Sequence, residues 1–64
     1  MDERQRQEFR LELGRIGVTL GLLDAALMSP EVDPYTLASH ANRLTDQSMR
    51  MLIKLGAVIA KRQS

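Results

Sequence analysis

Six residues near the middle of the chain, Ser29-Pro30-Glu31-Val32-Asp33-Pro34, decide what the rest can become. Each proline disfavours helical geometry in the residue before it and lacks the amide hydrogen that a helix interior needs. A helix arriving from the N-terminal side therefore stops near Met28. Asp33-Pro34 is also a start signal, because aspartate caps free amides and proline is tolerated at the first helical position. Ser29-Pro30 has the same form and predicts one tight turn inside the loop. The spacing predicts helix one over about 3–28, a loop over about 29–33 and helix two over about 34–62, in one domain covering 1–64.

The two flanking segments carry matching apolar rhythms. Phe9, Leu13, Ile16, Leu20, Leu23 and Leu27 recur in alternating steps of four and three, the pattern of a packed helix seam. Leu37, Ala41, Leu44, Ser48, Met51, Leu55 and Val58 continue a similar rhythm after the loop. Folding back at the prolines pairs Leu27 with Leu37, Leu23 with Ala41, Leu20 with Leu44, Ile16 with Ser48, Leu13 with Met51 and Phe9 with Leu55. All these layers share one register. The expected fold is all-α, an antiparallel two-helix hairpin.

That seam leaves apolar residues over. Leu11, Val18, Leu22 and Ala25 lie outside it on helix one, and Ala38, Met49, Leu52, Ile53, Ile59 and Ala60 on helix two. A soluble monomer rarely exposes such a patch. A chain of 64 residues is also marginal without staples. There is no cysteine for a disulfide, and a single histidine gives no credible structural zinc site. Gly14, Gly17 and Gly21 with Ala25, and Gly56 with Ala60, place small residues where a second helix could approach closely. Each glycine costs up to about 1 kcal/mol relative to alanine in a helix. The simplest assembly is a homodimer, two hairpins forming a four-helix bundle. Val18, Gly21, Leu22, Met49, Leu52, Ile53 and Ile59 are the expected interface residues.

Charge narrows the function classes. Nine Lys and Arg against eight Asp and Glu is not the strong basic excess of a dedicated phosphate-backbone binder. A chain that is 44% hydrophobic and 27% charged is too apolar to be read as disordered. The polar start, Met1 to Glu8, lacks the apolar core of a secretion signal. The stretch Ile16 to Met28 is too short to span a bilayer and contains Asp24. These features read as a cytoplasmic protein with no membrane association.

Residues able to carry chemistry are few. His40 stands alone, level with Ala26 and flanking the seam, with no evident nucleophile to activate. Asp24 and Asp46 are the carboxylates most embedded in apolar sequence, yet a hairpin has no pocket of its own in which to converge them. No catalytic residue, cofactor or metal is expected. Arg43, Arg50, Lys54 and Lys61 share a flank of helix two, where Arg43, Arg50 and Lys54 are the residues a phosphate backbone would meet. Glu12 is expected near Lys54 across the hairpin, and no aromatic residue is interleaved for base stacking. Met28 and Met49 lie outside the seam as adaptable surface residues, whereas Met51 fills it.

Three families of similar size resemble this plan. Small hairpin phosphatases acting on response-regulator aspartyl-phosphate open their second helix with Ser-Gln-x-Leu-Asp. Ala41-Asn42-Arg43-Leu44-Thr45 keeps only the leucine of that signature. The glutamine and aspartate on which the activity would rest are absent. Needle-protein chaperones of type III secretion and plasmid-encoded RNA-binding hairpins resemble it in architecture alone, and architecture does not transfer function. The expectation is therefore a small non-enzymatic regulatory or adaptor protein, of anti-activator, inhibitor or chaperone type, that binds a protein partner by helix-face packing. The alternatives are a nucleic-acid-binding bundle and a phosphatase-like hairpin.

Overall fold

The computed structural model of the chain describes residues 1–63. Two helices, α1 (Glu3–Leu27) and α2 (Pro34–Gln63), pack against each other as a hairpin. The radius of gyration is 15.2 Å, against roughly 11 Å for a compact globule of this length, so the molecule is a slab rather than a ball. Its extents are 51 × 18 × 10 Å, with two broad sides.

Both helices begin on an aspartate. Asp2 and Gln5 form a reciprocal capping box: the Gln5 amide donates to Asp2 Oδ1 at 2.8 Å, and the Asp2 amide to Gln5 Oε1 at 3.0 Å. Asp33 accepts the Tyr35 amide at 3.1 Å, as the Asp33-Pro34 signal predicts. The α1 carboxyl end closes through the Met28 amide to the Asp24 and Ala25 carbonyls. The Val32 amide then reaches the Ser29 carbonyl at 3.3 Å, the tight turn expected around Pro30. Lys61 and Arg62 occupy the last turn of α2, where positive charge suits the helix dipole.

The seam differs from the one that apolar periodicity predicts. The α1 residues turned into it are Gln5, Phe9, Glu12, Ile16, Thr19, Leu23 and Ala26. On α2 they are Leu37, His40, Leu44, Gln47, Met51, Leu55 and Val58. Phe9, Ile16 and Leu23 keep their predicted place, but Leu13, Leu20 and Leu27 give way to Glu12, Thr19 and Ala26. On α2, His40 and Gln47 replace Ala41 and Ser48. The predicted register fails with it: Thr19 meets Gln47 in the layer where Leu20 was paired with Leu44.

Polar pairing explains the rotation. Thr19, 2% exposed, places its hydroxyl 2.8 Å from Gln47 Oε1 and 3.2 Å from the Arg15 carbonyl. Glu12, 4% exposed, meets Arg15 at 3.4 Å and Lys54 at 3.9 Å. Buried polar groups are tolerated only when partnered, and no buried side-chain nitrogen or oxygen is left unpartnered among the described residues. The Glu12–Lys54 proximity expected from sequence is present. Gly14, Gly17, Gly21 and Gly56 have nothing within 4 Å of where a Cβ would stand, so α1–α2 packing does not require them to be glycine.

Candidate interaction site

The rotated seam divides the remaining side chains between the two broad sides by a simple rule. An antiparallel helix pair has a local two-fold axis normal to its plane. Equivalent offsets from the seam on the two helices therefore land on the same side. Residues four after a seam position gather on one side: Leu13, Leu20 and Leu27 from α1, with Ala41, Ser48 and Ile59 from α2. Leu52, four beyond Ser48, joins them. Residues three after a seam position gather on the other: Glu8, Arg15 and Leu22 from α1, with Arg43, Arg50, Lys54 and Lys61 from α2.

The first side, here the leucine side, carries no charge along its centre. Its large residues are all exposed, and Leu20, the least exposed of them, still shows 50% of its surface. No hydrophobic side chain is fully buried anywhere among the described residues. Asp24 stands at the edge of this side.

The second side is charged. Arg43, Asp46 and Arg50 line an open groove of about 440 Å³ together with Ser39, Asn42 and Gln47. Arg43 and Arg50 make no ion pair among the described residues, whereas Lys54 is engaged with Glu12. A smaller groove of about 230 Å³ lies between Gln5, Glu8, Phe9 and Lys54, Ala57, Val58. Asp46 lies on this side and Asp24 on the other, so the two carboxylates do not converge within one hairpin. His40 is half-buried in the seam and makes no hydrogen bond or ion pair among the described residues. No group of three metal-ligating side chains occurs among the described residues.

The seven interface residues named from sequence do not share one surface. Leu52 and Ile59 lie on the leucine side. Leu22 lies on the charged side, and Val18 between that side and the outer edge of α1. Gly21 sits on that edge, and Met49 and Ile53 on the outer edge of α2, all exposed. Sequence reasoning missed Leu13, Leu20 and Leu27 because it spent them on the seam. The signal available was the pair of complementary polar contacts, Thr19 with Gln47 and Glu12 with Lys54, which specify a different rotation of α1.

No helix among the described residues is long and apolar enough to cross a membrane. No protein-family model, curated protein or solved structure matches the chain.

Proposed function

We propose that this chain is a small non-enzymatic regulatory or adaptor protein that works by laying its leucine side against another helical surface. One observation carries the reading: Leu13, Leu20, Leu27, Leu52 and Ile59 stand half or more exposed along the uncharged centre of one side, while no apolar side chain among the described residues is fully buried. Apolar area removed from water contributes about 25 cal/mol per Å², and this hairpin keeps much of its area in contact with water. Another helical surface seated on that side supplies the burial the hairpin lacks. The test is Leu52→Asp, a charge placed in the uncharged strip. It is expected to abolish association with any helical partner, measured by sedimentation and by capture from nuclease-treated lysate. Association undiminished by that substitution would refute the reading.

A second reading rests on the charged side. Arg43 and Arg50 flank an open groove without ion pairs, an arrangement that can meet phosphates. Asp46 in the same groove and the commitment of Lys54 to Glu12 weaken it. If it holds, reversing Arg43 and Arg50 removes nucleic-acid binding, and replacing both with neutral residues weakens it and lowers the salt slope by about two. Binding indifferent to salt excludes it.

A further inference from the structure

We infer that the occupant of the leucine side is a second copy of this chain, related by a two-fold axis running along the helices, so that each α1 lies over the other copy's α2. The inference rests on the proposal that the leucine side works by helix packing, and it names the partner and its orientation.

Area supports a second copy. The broad side measures 51 × 18 Å, an outline of roughly 900 Å². A stable interface of standard size takes about 800 Å² from each partner, so one hairpin covering another meets that requirement with no further element. Symmetry demands that the surface complement itself, and this one does. Its α1 half presents large side chains, Leu13, Leu20 and Leu27. Its α2 half presents small ones over the first half of the helix, Ala41, Thr45 and Ser48, before Leu52 and Ile59.

The distribution of large and small residues also selects the axis. Two face-to-face arrangements are symmetric. With the axis along the helices, Leu20 of one copy faces Thr45 and Ser48 of the other, and Leu27 faces Ala41. Leu20 and Leu27 then enter spaces left by small residues, Leu13 meets Leu52 at the open end of the bundle, and all neighbouring helices keep similar separations. With the axis across the helices, α1 stacks on α1 and leucine on leucine. The α1 pair is then forced apart, while the small residues of the α2 pair are left without filling. The first arrangement packs; the second leaves voids. In either, both charged sides face outward, at opposite surfaces of the bundle.

The test uses the absence of cysteine in the chain. Sedimentation of the unaltered protein at micromolar concentration is expected to give twice the mass of one chain. Leu20→Cys and Ser48→Cys are then made in separate chains, mixed and oxidised. A disulfide requires Cα atoms within about 7 Å. A mixed disulfide between the two variants, with no Leu20→Cys self-disulfide in excess, is the expected result. A dominant Leu20→Cys self-disulfide overturns the orientation. A monomer whose leucine side binds a different protein overturns the self-association while leaving the proposed function intact. A monomer that binds nothing through that side overturns both. Binding to lipid vesicles by a monomer, lost with Leu20→Asp, overturns it in favour of a membrane surface.

Discussion

The two broad sides of the hairpin are built from the same two helices and differ by one step in the heptad. Flanking the seam, the chain places Leu, Ala, Ser and Ile on one side, four residues beyond alternate seam positions, and Arg, Lys, Glu and one Leu on the other, three residues beyond the remaining ones. The leucine side has no partner in the hairpin, whereas the charged side begins with ion pairs that reach into the seam, Glu12 to Arg15 and Lys54. The contrast shows what the polar seam residues accomplish. By drawing α1 toward its Glu12–Thr19 edge, they keep the leucines together on one side instead of dividing them between seam and solvent.

That comparison can be broken most severely at the centre of the leucine side. Leu20→Asp puts a charge where helix packing requires an apolar group, and it is expected to weaken self-association by about a hundredfold, read by sedimentation across a dilution series. A variant that associates as before would show that the two sides do not differ in role.

The next largest effect lies in the seam. Thr19→Val alone strips Gln47 of its partner and is expected to lower stability by about 1 kcal/mol in chemical denaturation. Adding Gln47→Met removes both polar groups while keeping their shapes, and is expected to restore stability to within about 0.5 kcal/mol. Two additive losses would mean the Thr19–Gln47 contact does not set the rotation of α1.

A smaller effect is expected from a double-mutant cycle of Glu12→Gln with Lys54→Met. Lys54 is half exposed, which screens the pair, so the coupling energy should be about 0.5 kcal/mol and should shrink in high salt. Smallest of all is the consequence of Arg43→Glu with Arg50→Glu. These side chains make no ion pair among the described residues, and folding stability and self-association should each change by less than about 0.5 kcal/mol. A large loss there would reverse the assignment of the two sides.

The hairpin was legible in the sequence because its determinants are local. The prolines, the Asp33 cap and the heptad spacing each act within a few residues, and the Glu12–Lys54 contact followed from folding at the loop. The rotation of α1 was not legible from hydrophobicity. Phe9, Ile16 and Leu23 belong to two overlapping stripes, one completed by Leu13, Leu20 and Leu27 and the other by Glu12, Thr19 and Ala26. Periodicity alone favours the leucines, because it scores burial and ignores that two polar residues can satisfy one another. The candidate surface inherits that choice: of the seven residues read from sequence as interface, Leu52 and Ile59 lie on the leucine side, while periodicity assigns the leucines beside them to the seam.

No apolar side chain among the described residues is fully buried, so if a second copy covers the leucine side as proposed, the abundance of this protein and its structural integrity become linked. A chain that completes its burial only on association gains about 1.4 kcal/mol of stability for each tenfold rise in the concentration of what covers it, once that concentration exceeds the dissociation constant. Scarce chains would spend more time open and exposed to proteolysis, and plentiful ones less. A gradual change in synthesis would then become a sharper change in the amount of folded protein, a threshold set by mass action with no dedicated switch.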